Sequence, residues 1–166
     1  MKRSAVFVLP LLGFLLSCTQ GPQSAQGDGG GSAQDMIAAA NALDQSFINA
    51  FNEGDVDALA SLYWNSPDVV VFPPDTLEAK GAAGVRQAIA QMFETMHGAR
   101  FELTEQHQMP AGDVVIGWGL FRVTVPDASG SPVEMVGRYT DVKAERDGKW
   151  VYLLDHGSMP IPPSED

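Results

Sequence analysis

Residues Val136–Pro160 read VGRYTDVKAERDGKWVYLLDHGSMP, two long β-prone runs broken once, at Arg146-Asp147-Gly148. The length of that turn decides which side chains face the interior, because a one-residue slip moves every side chain to the other face. A two-residue loop at Asp147-Gly148 sets Glu145 opposite Trp150 and Thr140 opposite Asp155. A three-residue loop, with Gly148 in the left-handed position of a bulge, sets Ala144 opposite Trp150, Val142 opposite Tyr152, Thr140 opposite Leu154 and Arg138 opposite His156. The second register leaves one face apolar through its middle and is the one expected here. Lys143, Asp141, Tyr139 and Asp155 then turn to water, and Arg138 and His156 become cross-strand neighbours at the polar end of the inner face.

The chain around this hairpin has 166 residues, enough for a single domain with a core of its own. Lys plus Arg number 10 against 21 Asp plus Glu, a formal net charge of -11. A phosphate backbone would be repelled, which excludes nucleic acid as an expected partner. The single cysteine, Cys18, excludes an intramolecular disulfide and a cysteine-rich metal site. Lys2 and Arg3 precede an apolar run from Ala5 to Leu16, too short to span a bilayer comfortably, so residues 1–17 read as a cleaved signal peptide. Residues 18–34 then follow as a flexible Gly/Ser/Gln/Ala linker, residues 35–158 as the folded domain, and residues 159–166 as an acidic tail.

Within the domain, Met36, Ala40, Leu43, Phe47, Ala50 and Phe51 recur at helical spacing, with Asp35 as the expected cap and Gly54 as the stop. Asp55 opens a short second helix ending at Ser66-Pro67. Val69–Phe72 is a β-branched run halted by Pro73-Pro74. A loop leads to Gly81, and a third helix carries Val85, Ile89, Met92, Phe93 and Met96 on one face. Strands are expected near 100–109, 114–125, 133–145 and 149–157. Helices segregated ahead of antiparallel strands indicate an α+β domain, a curved sheet forming an open cone with three N-terminal helices over one face. The mouth of such a cone is a natural ligand pocket.

Leu15-Leu16-Ser17-Cys18 resembles the lipobox of bacterial lipoproteins. That resemblance implies cleavage before Cys18, a lipid on its thiol, and anchoring to the bilayer of the cell envelope. With Thr at position 19, the implied place is the periplasmic face of the outer membrane in a Gram-negative cell. The element order, together with Asn52-Glu53-Gly54-Asp55-Val56-Asp57-Ala58-Leu59, Lys80-Gly81 and Gly148-Lys149-Trp150 with His156 and Ser158, is similar to the SnoaL-like superfamily. This is the nuclear transport factor 2-like, cystatin-like α+β fold, and the resemblance covers about Asp35 to Pro160. Its members include isomerases, cyclases, dehydratases, hydrolases and plain binding or oligomerisation domains, so the fold alone does not choose a function. Aligned to the ketosteroid isomerases, which use a carboxylate base with a Tyr and a protonated Asp as oxyanion donors, the chain has Phe47 at the tyrosine, Phe72 at the base and Thr140 at the protonated acid. Each departure removes the required group, which argues against steroid isomerisation.

On the strand 114–125, Trp118, Leu120 and Arg122 share one parity, which the alignment turns inward. The expected ligand-binding cup is therefore Phe47, Tyr63, Phe72, Trp118, Leu120, Arg122, Arg138, Thr140 and His156. The expected function is an exported, lipid-anchored domain binding a small apolar molecule or one bearing a carboxylate or carbonyl. The first alternative is an enzyme with His156 as acid/base and Arg138 polarising an oxygen. The second is an oligomerisation domain with a filled interior, and a homodimer through the sheet is the expected assembly. His97, His107 and His156 lie on three different elements, so no metal site is expected, and no cofactor.

Overall fold

Caps decide where the helices begin. The computed structural model describes residues 31–74 and 76–160; the expected leader, Cys18, the linker as far as Gly30 and the tail after Pro160 lie outside the described residues. Helix α1 runs Ala33–Glu53. The Ser32 hydroxyl accepts the Asp35 N–H at 3.2 Å, and the Asp35 carboxylate accepts the Ser32 N–H at 3.1 Å. This reciprocal capping box starts the helix three residues before the expected Met36 and puts Asp35 inside its first turn. Gly54 closes the helix in a left-handed conformation. Asp55 caps α2 (Val56–Ala60), accepting the Ala58 N–H at 2.9 Å. The third helix, α3, is Gly81–Thr95.

The strands are β1 (Val70–Phe72), β2 (Ala79–Lys80), β3 (Arg100–Ala111), β4 (Val114–Pro126), β5 (Pro132–Arg146) and β6 (Lys149–Ser158). They form one sheet in the order β2-β1-β6-β5-β4-β3. All neighbours are antiparallel except β1 and β6, which run parallel. The expected α+β architecture holds, with β2 added in the stretch expected as loop. Helix α1 packs on β3, β4 and β6, and α3 packs on β1, β2 and α2, so one face of the curved sheet is covered. Leu43, Phe51, Leu59, Val85, Phe121 and Tyr152 are buried between the layers. Each such apolar side chain contributes about 1.5–3 kcal/mol by leaving water.

The hairpin departs from the expected register. Asp147 and Gly148 both have positive φ, 52° and 74°, and Arg146 pairs with Lys149. The loop is the two-residue type whose twist matches the strands it joins. Near the turn, Glu145 therefore faces Trp150 and Lys143 faces Tyr152. The register then shifts between Val142 and Lys143, where a bulge on β6 absorbs Leu153. Beyond it Val142 faces Leu154, Asp141 faces Asp155, Thr140 faces His156 and Arg138 faces Ser158. A shorter loop and an extra residue in β6 together displace the whole site end, and Arg138 and His156 become diagonal neighbours.

Candidate site inside the cone

The faces of β4 settle what is inside. Val115, Gly117, Gly119, Phe121 and Val123 are all buried, while the residues between them are exposed or half-buried. Their partners on β5 at the site end, Asp141, Tyr139 and Gly137, therefore face inward as well. The glycines make room for large polar neighbours. A Cβ on Gly117 would collide with Oδ1 of Asp141 and stand 2.9 Å from Nζ of Lys143. A Cβ on Gly119 would collide with the Glu105 carbonyl and stand 3.0 Å from the Tyr139 ring.

Inside lies a cavity of about 420 Å³. Its walls include Phe47, Phe101, Phe121, Met92 and Met135, and its polar groups include Tyr63, Tyr139, Asp141 and Asp155. Beside it, Asp44 of α1 holds a buried ion pair with Lys143, which is 0% exposed. The Asp44 carboxylate accepts Lys143 Nζ at 2.8 Å, Nε2 of Gln106 and of Gln108 each at 2.6 Å, and the Tyr152 hydroxyl at 2.6 Å. Such a pair survives burial because its remaining lone pairs are satisfied. Tyr63 donates to Oδ2 of Asp155 at 2.7 Å.

Asp141 has no such network. Its one cationic neighbour is Lys143, whose Nζ stands 3.0 Å from Oδ1 and is shared with Asp44 and Gln108. The Tyr139 hydroxyl is buried without a hydrogen-bond partner among the described residues, and the buried Oδ1 of Asp141 has the Lys143 ion pair alone. Burial pushes the Asp141 carboxyl up to about 7, against the pull of Lys143 and with the push of Asp44 and Asp155. Asp155 is also raised, by burial first, with the Tyr63 hydrogen bond opposing. Burial, then nearby carboxylates, holds Tyr63, Tyr139 and Tyr152 well above the ordinary phenol range, so all three stay neutral near pH 7.

The expected cup divides between the two sides of the sheet. Phe47 and Tyr63 line the cavity. Phe72 sits at its rim, 36% exposed, with its ring edge-on to His156 at 6.1 Å. Trp118, Leu120, Arg138, Thr140 and His156 instead line a shallow cleft on the outer face. There Arg138 donates to the Ser158 hydroxyl at 3.1 Å, and His107 stacks on Trp118 with centroids 5.4 Å apart. Arg122, also outward, pairs with Glu102 and, at 3.4 Å, with Glu134. The ketosteroid isomerase alignment shifts too. Thr140 points away from the cavity, and the carboxyl that points in is Asp141, so a buried acid is present after all. Phe47 still offers no donor.

The SnoaL-like domain profile matches residues 45–153, from within α1 to within β6. The chain belongs to the SnoaL-like domain family. No curated protein matches it significantly. Among solved structures, this SnoaL-like domain superposes on a nuclear transport factor 2-like superfamily protein from Salmonella enterica serovar Typhimurium with a TM-score of 0.71 and 14% identity, covering 81% of this chain and 99% of that one. A candidate dehydratase of the NTF2-like family from Streptomyces avermitilis gives a TM-score of 0.69 and 19% identity over 77% and 99% of the two chains. A protein with a cystatin-like fold from Caulobacter vibrioides gives 0.65 and 19% over 77% and 92%. At these identities the likeness is one of fold.

Proposed function

We propose that this SnoaL-like domain binds a small, largely apolar molecule in the interior cavity, with its polar end against Asp141 and Tyr139. One observation carries the reading: a cavity of about 420 Å³, walled by aromatic and methionine side chains, has the carboxyl residues Asp141 and Asp155 and the phenol residue Tyr139 in its lining. A mostly apolar wall with a few polar groups that fix orientation is the usual make-up of a small-molecule site. A volume of this size suits a drug-sized molecule. The carboxylate preference expected from Arg138 and His156 is dropped, because both residues lie on the other side of the sheet, and with it the acid/base role of His156.

The test is a thermal-shift screen against a metabolite panel, run on the wild type and on Ala88→Phe, which puts a ring into the cavity wall. Compounds that raise the melting temperature of the wild type and not of the variant support the reading. Equal shifts in both would place binding elsewhere and sink it.

A second reading concerns assembly. Trp118, Leu120 and Val136 are 40%, 39% and 50% exposed on the outer sheet face, an apolar surface suited to a symmetric homodimer. Light scattering on the wild type and Trp118→Glu tests it, and two monomeric proteins would contradict it. Lipid anchoring through Cys18 remains part of the proposal on the strength of Leu15-Leu16-Ser17-Cys18. Cys18→Ala should move the exported protein from the membrane to the soluble fraction, and unchanged membrane fractionation would refute it.

A further inference from the structure

We propose that the polar end of the cavity's ligand is a protonated amine, an ammonium seated between Asp141, Asp155 and the Tyr139 hydroxyl. This rests on the binding reading above and names the chemistry of the ligand's head group. Asp141 and Asp155 are directly opposed on paired strands, where side chains of one face lie about 4.5–5.5 Å apart at Cβ. Two carboxylates in that position cannot both ionise unless a proton or a cation stands with them. The fold supplies one cation nearby, Lys143, which is divided between Asp44 at 2.8 Å, Oδ1 of Asp141 at 3.0 Å and Gln108. Three buried-side carboxyls, Asp44, Asp141 and Asp155, thus share a single ammonium.

Apart from Lys143, every element packed here adds acceptors or neutral groups. Asp44 comes from α1, Gln106 and Gln108 from β3, Tyr139, Asp141 and Lys143 from β5, and Tyr152 and Asp155 from β6, with Tyr63 reaching Asp155 from the segment before β1. Among the described residues lining the cavity there is no Arg, Lys or His. A carboxylate ligand would add one more negative charge to a site that lacks a free cation. An ammonium would instead donate to Asp155, to the Asp141 oxygen that Lys143 does not hold, and to the Tyr139 oxygen. The rings of Phe47, Phe101, Phe121 and Tyr152 present the aromatic surface that cations favour, and Met92 and Met135 add polarisable sulfur.

The amine must also compete with a proton. With the Asp141 carboxyl pushed up to about 7, an ammonium gains its full partner only when that proton has left, while an alkylamine itself stays charged. Amine affinity therefore rises with pH across neutrality.

Three probes with one skeleton separate the possibilities: 4-phenylbutylamine, 4-phenylbutanol and 4-phenylbutyrate, titrated calorimetrically into the purified full-length chain. The amine should bind at least about tenfold more tightly than the alcohol at pH 8, a gap appropriate to a charge-assisted pair over a neutral one. The carboxylate should bind more weakly than the alcohol. Between pH 8 and pH 6 the affinity for the amine should fall about tenfold, and that for the alcohol should stay level. Asp141→Asn should bring amine and alcohol to within about threefold of one another. If that variant does not fold, the wild-type pH series makes the same test. Tighter binding of the alcohol or carboxylate, or a pH-independent preference for the amine, overturns the amine assignment and leaves the cavity reading standing. Binding by none of the three overturns both.

Discussion

Thr140 and Asp141 are adjacent on β5, yet they belong to different worlds. Thr140 sits in an outer row with His107, Trp118 and His156, and its neighbours trade contacts with water. Asp141 sits in an inner row with Gly117 and Asp155 and is 2% exposed. The outer row is rich in apolar surface and carries the cationic side chains Arg122 and Arg138. The inner row is lined by aromatics and carries the carboxyls. Apolar character thus does not tell the two faces apart. What does is how each face satisfies its charged groups, the outer with solvent and surface ion pairs, the inner with one buried network centred on Asp44 and Lys143.

The largest effect that would sharpen this contrast comes from Lys143. Lys143→Met leaves the buried Asp44 without its ammonium and should cost about 3–5 kcal/mol of stability in urea unfolding. Adding Asp44→Leu should recover a large part of that loss. Removing an outer cation, as in Arg138→Gln, should stay within about 0.5 kcal/mol. Equal costs for the inner and outer changes would erase the distinction.

Next come the glycines. Gly119→Ala drives a methyl group into the Glu105 carbonyl, and overpacking of this kind costs about 1–3 kcal/mol. Thr140→Ser on the opposite side should be nearly silent in the same thermal melts.

Those glycines also show where the sequence was legible. Helix and strand order followed from periodicity, and Met36, Ala40, Leu43, Phe47 and Phe51 mark the covered face of α1. Asp44 belongs to that same face, so a carboxylate inside an apolar stripe was a visible sign of a buried partner. In Val115-Ile116-Gly117-Trp118-Gly119-Leu120, the large apolar residues look like the interior. The glycines are the inner set, because a bulky polar side chain across the ladder needs their empty space. Asp147-Gly148 carried the signature of a two-residue loop, and choosing the longer one reversed β5. The bulge at Leu153 had no local signal. Trp150 and Tyr152 do face inward as the three-residue register requires, but Leu154 and His156, beyond the bulge, do not.

A smaller effect is the pH dependence of stability. A carboxyl whose folded pKa is raised takes up protons more readily in the folded than in the unfolded state. Asp141 therefore contributes stability that is fully present below its unfolded pKa, near 4, and is lost as pH rises through about 7. The wild type should lose stability relative to Asp141→Asn between pH 5 and pH 8, measured as the difference in urea midpoints. A constant difference across that range would show that the inner carboxyl is not distinguished by burial.

The most direct measurement is a carbon-13 titration of the Asp141 side-chain carboxyl. An inward, buried carboxyl opposite Asp155 is expected to titrate near 7. A midpoint near 4, the ordinary value for an exposed aspartate, would put Asp141 in water and Thr140 inside, and would contradict the assignment of the two faces.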